Sequence, residues 1–389
     1  MPNAAVSRLV LSSYSEPLTA ETAREALREI GGRVSCGFAF CSADYRDDLP
    51  DFLENLQLNA HIPVLVGCSG AGIIGSGAEA EAARGFSLLL LHLPETELRT
   101  YHFTDGDLPA WDDEDGWKTA VGPNPMDAWM LLADPSTVPI EPWLRAWDTA
   151  AGGVPCFGGL GSGGPDGGDI FVFRDREPLE GGGVALGFRG GVKIRTLVSQ
   201  GCRPIGEPLP VTSAEQNVVR TLGSRPAYQV LDEAFQALSD RDKERARGNL
   251  FAGLAIREDC EEFHRGDFLI RNILGADESS GAVALGAFPR VGQTLQYQLR
   301  DARAADEDLR HLAGDLHEAG VRPFGSLLFS CGGRGRAMFG TANHDAGILA
   351  ESLGLHPSAG FFCNGEIGPV GGKNFVHGYT ASAALFCNA

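Results

Sequence analysis

The sequence predicts an α/β fold of mixed sheets, built from repeated strand–helix–strand–glycine-loop–strand units in two domains. Two observations carry that expectation. One order of signals returns three times: an apolar strand-like run, a polar turn, an amphipathic helix, a proline, a short strand, a glycine-rich loop and a closing strand. Glycine, at 52 of 389 residues, also lies well above its usual share of about 7%. It keeps no fixed period, as expected of many tight turns between short strands.

In the first copy, Thr19 as N-cap and Glu21 in the first turn open a helix that Gly31-Gly32 stops. Val34 to Phe40 reads as a buried strand, followed by the polar turn Cys41-Ser42-Ala43-Asp44. Leu49, Phe52, Leu53 and Leu56 recur at i, i+3, i+4 and i+7, one face of a helix. Pro63, Val64 to Val66, the loop Gly67-Cys68-Ser69-Gly70-Ala71-Gly72 and the strand Phe86 to Leu93 complete the copy. The second runs from Trp129 to Ala133 through Ile140, Trp143, Leu144 and Trp147 to Pro155, then the loop Gly158 to Gly164 and Val184 to Phe188. The third runs from Leu327 to Phe329 through Ala346, Leu349, Ala350 and Leu353 to Pro357, a glycine loop and Thr380 to Phe386.

Two stretches fall outside this order. The acidic segment Thr104 to Pro125, with Asp105, Asp107, Asp112, Asp113, Glu114 and Asp115, lacks calcium-loop spacing and reads as a solvated linker. Thr212 and Glu215 form a capping box that opens a helix through Leu222, broken by Gly223-Ser224-Arg225-Pro226. That break places the domains at 1–223 and 224–389. Beyond it, Tyr228 to Leu238 is helical. Phe268-Leu269-Ile270, Ala282 to Leu285 and Thr294 to Leu299 read as strands.

A net charge of −19 repels phosphate backbones and anionic lipid surfaces, which argues against nucleic-acid and membrane partners. Nine cysteines without a C-x-x-C pair fit neither a disulfide framework nor a zinc ribbon, and point to a reducing compartment. With no signal-peptide pattern and no apolar run of about 18 residues, a cytoplasmic location follows, and no metal or cofactor is expected.

Gly159-Leu160-Gly161-Ser162-Gly163-Gly164 matches the dinucleotide fingerprint by letter, but Pro165-Asp166-Gly167-Gly168 and a strand follow it where a helix is required. Gly368 to Asn374 fails the P-loop pattern at Ile367 and Asn374.

The last copy differs from the others in its charges. If its first two strands are parallel, their carboxyl ends share an edge, and Ser330, Arg334 and Arg336 meet Asn364, Glu366, Lys373 and Asn374 there. An arginine fork suits a carboxylate and Glu366 suits an ammonium. Arg334 and Glu366 pairing with each other would instead staple two loops. His377, and Cys68 and Ser69 from the first copy, complete the ligand-binding candidates. Cys331 or Cys363 with His377 as base would make a cysteine-dependent enzyme, but cysteines among apolar strands favour a structural role.

The run Ser330-Cys331-Gly332-Gly333-Arg334-Gly335-Arg336, then Gly360-Phe361-Phe362, Gly365 to Phe375 and His377-Gly378-Tyr379-Thr380 resembles the FIST family. Pro63 to Gly72, and Ser199 to Gly206 with Val211-Thr212, resemble that family's N-terminal part. The resemblance implies FIST N- and C-terminal parts without a fused output module. The implied function is a sensory protein that binds a small ligand, an amino acid or similar metabolite, and signals through a separate partner. A ligand-free protein-interaction adaptor is the other reading.

Overall fold

Each apolar run that opens a copy becomes an inner strand of a sheet, and each periodic face becomes a helix lying on it. The structure, a computed structural model, describes residues 2–104, 106, 108–110, 112–122, 124–163, 170–179, 181–259 and 262–389. These form two compact units, Met1–Val198 with Leu309–Val376 and Thr380–Ala389, and Ser199–Asp308 with His377–Tyr379.

The first unit is one eight-element repeat used three times, with one extra short helix in the third copy. The first repeat is β1 (Ala4–Val10), α1 (Glu16–Ile30), β2 (Cys36–Ser42), α2 (Leu49–Ala60), β3 (Leu65–Gly70), β4 (Gly72–Gly75), β5 (Ala78–Glu81) and β6 (Phe86–His92). The second is β7 (Thr96–Phe103), α3 (Glu114–Val121), β8 (Ala128–Ala133), α4 (Ile140–Ala150), β9 (Cys156–Leu160), β10 (Val172–Arg174), β11 (Glu177–Leu179) and β12 (Gly183–Gly190). The third opens with β13 (Val192–Gln200) and is then interrupted by the second unit. That unit comprises β14 (Cys202–Pro204), β15 (Leu209–Glu215), β16 (Val218–Leu222), β17 (Arg225–Pro226), α5 (Ala227–Gln236), α6 (Asp240–Ala246), β18 (Leu250–Ala255), β19 (Phe268–Asp277), β20 (Ala282–Leu285) and β21 (Thr294–Arg300). The third repeat resumes with α7 (Ala302–Glu318), whose first turns up to Asp308 belong to the second unit, β22 (Gly325–Cys331), a short α8 (Arg336–Phe339), α9 (His344–Leu353), β23 (Ser358–Cys363), β24 (Glu366–Val370), β25 (Lys373–His377) and β26 (Thr380–Asn388).

The three sheets have one strand plan: β1-β6-β2-β3-β10-β11, β7-β12-β8-β9-β24-β25 and β13-β26-β22-β23-β4-β5. In each, the two strands joined by the helix pair in parallel. The returning strand runs antiparallel to the first of them. The outer hairpin always comes from another repeat. The second repeat's hairpin completes the first sheet, the third's completes the second, and the first's completes the third.

The parallel pairs meet at one recurrent contact. Gly67 lies opposite Ala39, Gly158 opposite Leu131 and Gly360 opposite Leu328. A Cβ on these glycines would fall 1.7, 1.9 and 1.9 Å from the carbonyl oxygen of the facing residue. Glycine is required there because the two main chains touch.

All three sheets turn one face to a shared apolar core that includes Phe38, Phe40, Phe157, Phe329, Phe361 and Phe386. The other face of each sheet packs on two helices of its own repeat. These are α1 and α2 through Ala26 and Phe52, α3 and α4 through Trp117 and Trp143, and α7 and α9 through Leu309 and Leu349. Strands covered on both faces read as continuous apolar runs, which is why they stood out in the sequence.

In the second unit an antiparallel ladder closes on itself. From β21 it passes through β15, β16, β20, β19 and β18 and returns to β21. Its core gathers Val211, Val219, Leu254, Leu285, Tyr297 and Leu299.

Several expectations are corrected. The capping box Thr212–Glu215 opens no helix: β15 and β16 form a hairpin, with Glu215 opposite Val218 and Gln216 at φ +52° in the turn. The Thr212 hydroxyl bonds across the hairpin to Thr221 at 2.7 Å, and β-branched residues at 211, 212, 218, 219 and 221 suit the pleat. Residue 224 lies in the tight turn from β16 to β17. The acidic stretch contains α3, capped by Asp113, with Trp117 buried; Asp105 and Asp107 lie outside the described residues, as do Gly164 to Gly168 of the glycine-rich motif. Helix α1 begins at Glu16 after Ser15, one turn before Thr19, and ends at Gly31 in the left-handed conformation.

The glycine contact yields a paired test. Gly360→Ala should cost about 3 kcal/mol or more, because backbone must move. Gly347→Ala, in α9 with nothing within 4 Å of the added carbon, should gain up to about 1 kcal/mol. Urea unfolding midpoints of the two variants check both signs.

Candidate functional site

Parallel pairing of β22 with β23 sets Cys331 opposite Cys363, so the turns after both strands share an edge as the sequence predicts. The last residues of β22 and the turn after it deliver Ser330 and Arg334, both buried. The Arg334 guanidinium donates two hydrogen bonds to Asp345, Nε to Oδ2 at 2.7 Å and Nη2 to Oδ1 at 2.9 Å. Ser330 adds a third bond to Asp345 Oδ2 at 2.8 Å, and His344 Nδ1 lies 2.9 Å from Oδ1. Arg334 therefore pairs with Asp345, at the start of α9, and not with Glu366.

Glu366 is fully buried at the start of β24. Its Oε2 accepts from the Thr380 hydroxyl at 2.7 Å and the Thr380 N–H at 3.2 Å. Among the described residues its Oε1 has no hydrogen-bond partner, and neither does Arg334 Nη1. The two residues are close enough for the Arg334 charge to act on the Glu366 carboxyl. Burial pushes that carboxyl up to about 8, against the opposing pull of Thr380 and Arg334. Burial also works against charge on Asp345, but Arg334 overrides it and holds Asp345 well below the usual range.

The repeat supplies an internal comparison. Glu366 pairs with Gly159, Val172 with Cys68 and Ile73 with Phe361, each one step beyond the close-contact glycine. The fold fills that position with isoleucine and valine in two sheets and with a carboxyl in the third. Likewise Ser330, two residues beyond Leu328, corresponds to Cys41 and Ala133. The polar cluster is thus a departure from the frame, confined to one repeat.

The exchanged hairpin β4-β5 adds two acids to the sheet of β22 and β23. Glu79 Oε1 accepts from the Ala346 N–H at 2.8 Å at the N-terminus of α9, and the Glu79 N–H donates to Asn343 Oδ1 at 2.7 Å. Burial, and then the Asp345 charge, push Glu79 up to about 7. Glu81 accepts the Arg336 N–H at 2.8 Å.

The remaining candidates divide. Arg336, Asn364 and Lys373 have exposed side chains. Asn374 is a structural tie, accepting the Cys156 N–H at 2.8 Å and donating to Val154 O and to Asp148. Ser69 accepts the Phe171 N–H at 3.1 Å. Cys68 lies in the shared core with Cys363, and burial raises both thiols well above their ordinary value. His377 is buried and belongs to the second unit. Burial thus works against a thiolate at Cys363. Among the described residues no group of three or more His, Cys, Asp or Glu is disposed to hold a metal. Among the described residues no helix is long and apolar enough to cross a membrane.

Asp345 and Glu79 were not anticipated. Asp345 directly precedes the apolar face beginning at Ala346, the one available signal. Glu79 stands in an alternating Ala78-Glu79-Ala80-Glu81 segment whose destination the sequence does not disclose.

The FIST N domain matches residues 35–225 and the FIST C domain residues 227–369. An uncharacterized protein of Mycobacterium tuberculosis (strain CDC 1551 / Oshkosh) is 38% identical over 370 residues, covering 94% of this chain and 95% of its own length. An uncharacterized protein of Mycobacterium bovis (strain ATCC BAA-935 / AF2122/97) is 38% identical over 384 residues, covering 94% of each.

Two outcomes are expected of the buried cluster. Asp345→Asn leaves Arg334 buried without its counter-charge and should cost about 3–5 kcal/mol in urea unfolding. Glu366 and Glu79 hold protons more tightly folded than unfolded. The stability they contribute is present in full below their ordinary value of 4.5 and is lost as pH rises through about 7 and about 8. Glu366→Gln, which cannot ionise, should flatten this decline when melting temperatures are compared from pH 5 to pH 8.5.

Proposed function

The chain belongs to the FIST family, a family of sensory domains, and from that premise we propose that it is a cytoplasmic small-ligand sensor. Its ligand is an amino acid or a similar small metabolite carrying both an amine and a carboxylate. The observation that carries this reading is that buried Glu366 Oε1 and Arg334 Nη1 find no hydrogen-bond partner among the described residues. A buried acceptor and a buried donor left unpaired each cost free energy that a ligand offering the complementary groups recovers.

In this reading the ligand ammonium donates to Glu366 and its carboxylate accepts from Arg334 Nη1, while Asp345 keeps the guanidinium fixed. Burial keeps Glu366 protonated in the empty protein at neutral pH, so accepting an ammonium requires release of that proton. Affinity then rises with pH until about 8. The output passes to a separate signalling partner through a shift in the populations of conformers that the ligand binds unequally.

A thermal-shift screen of the twenty amino acids and related small acids tests this. At least one should raise the melting temperature by about 2–6 °C near 100 times its dissociation constant. Glu366→Gln should abolish the response. Failure of every compound, or an unchanged response in Glu366→Gln, removes the reading.

A further inference from the structure

The second unit carries a cavity of about 390 Å³ lined by five arginines and three carboxylates. Its volume lies within the roughly 300–1,000 Å³ of small-molecule sites. On a chain of net charge −19, such a concentration of positive charge calls for a local reason.

The floor is rigid. Arg203, on β14, donates to Asp242 at 2.8 Å and to Asp301 at 3.2 Å. Asp301 also accepts the Ala304 N–H at 3.0 Å, capping α7. Both aspartates are thereby committed, and Arg245 reaches Asp242 only at 3.9 Å. At the rim, Arg303 pairs with Glu307 at 2.7 Å.

Two arginines remain uncompensated. Arg265 donates to the Ala304 carbonyl at 2.8 Å, which aims its guanidinium at the α7 side of the cavity, and no described carboxylate pairs with it. Arg241, exposed on α6, has neither an ion pair nor a hydrogen bond among the described residues. Guanidinium forks converging on a cavity match the paired oxygens of a phosphoryl or carboxylate group.

We propose that this cavity is a binding site for a small organic anion carrying a phosphoryl group or two carboxylates, held by Arg241, Arg245 and Arg265 above the fixed Arg203 floor. The site is independent of the cluster around Glu366.

Calorimetric titration of the full chain, at an ionic strength of about 20 mM where screening is weak, tests it with pyrophosphate and succinate as probes. Saturable binding of one equivalent is expected, weakened about tenfold or more in Arg241→Glu/Arg265→Glu, a loss of about 1.4 kcal/mol. The milder Arg241→Gln/Arg265→Gln should also weaken it, which guards against misfolding of the charge-reversed protein. Tighter pyrophosphate assigns a phosphoryl ligand and tighter succinate a dicarboxylate. Glu366→Gln should leave the titration unchanged, which separates this site from the amino-acid site. The proposal is overturned if neither probe saturates, if both double variants bind like the parent, or if Arg24→Glu, on the exposed face of α1, weakens binding equally.

Discussion

No sheet of the first unit is completed by its own repeat, and the rest of the architecture depends on that constraint. Each edge strand after the parallel pair is supplied by another repeat in a closed cycle of three. An unpaired edge would be left on a sheet whenever one repeat failed to fold. The repeats must therefore form together around one apolar core, to which all three sheets contribute phenylalanines. The main-chain contacts at Gly67, Gly158 and Gly360 belong to the same requirement. They bring the helix-linked strands together at residues that themselves pair with the exchanged hairpin, Gly67 with Phe173, Gly158 with Ile367 and Gly360 with Ile74.

Such a frame makes departures from it readable. At equivalent positions the protein has Ile73, Val172 and Glu366, so packing alone is satisfied by an aliphatic side chain there. A carboxyl in that place carries a desolvation cost that two bonds from Thr380 and the nearby Arg334 charge only partly offset. Arg334 itself is held by Asp345 in a bidentate pair with Ser330 bonded to the same carboxylate. The pair compensates the Arg334 charge but leaves Arg334 Nη1 without a partner among the described residues, as Glu366 Oε1 is. Structural need explains Asp345; it does not explain Glu366.

Much of this was legible in the sequence, and the limits have physical causes. The strand–helix–strand order was visible because strands buried on both faces leave continuous apolar runs, and because Leu49, Ile140 and Ala346 begin equivalent helical faces. Ser330, Arg334 and Glu366 were located because parallel strands bring their carboxyl ends to one edge. The hairpin exchange was not visible, since pairing partners distant in sequence leave no local pattern, and with it Glu79 was missed. Thr212-x-x-Glu215 misled because a capping box is a local signal of about 1 kcal/mol, easily overridden by cross-strand pairing in the β15–β16 hairpin. Arg336, Lys373 and Asn364 shared the motif but not the interior: glycine-rich turns carry their side chains out to solvent.

The two units solve the problem of charge in opposite ways, and the difference bears on what each can bind. In the cluster of the first unit, charges are few and buried, and burial favours the protonated form of Glu366, so a cationic group must displace a proton to be accepted. In the second, charges are many and partly exposed, and Arg203 is neutralised between Asp242 and Asp301 while Arg241 and Arg265 keep their charge in contact with water. A buried neutral acid selects by hydrogen-bond geometry, because a wrong partner leaves polar atoms unpaired. An open arginine-lined cavity selects by charge, and does so weakly as salt rises. The interior cluster is thus suited to discriminate among small ligands of similar charge, whereas the cavity of the inserted unit is suited to register the concentration of a class of anions.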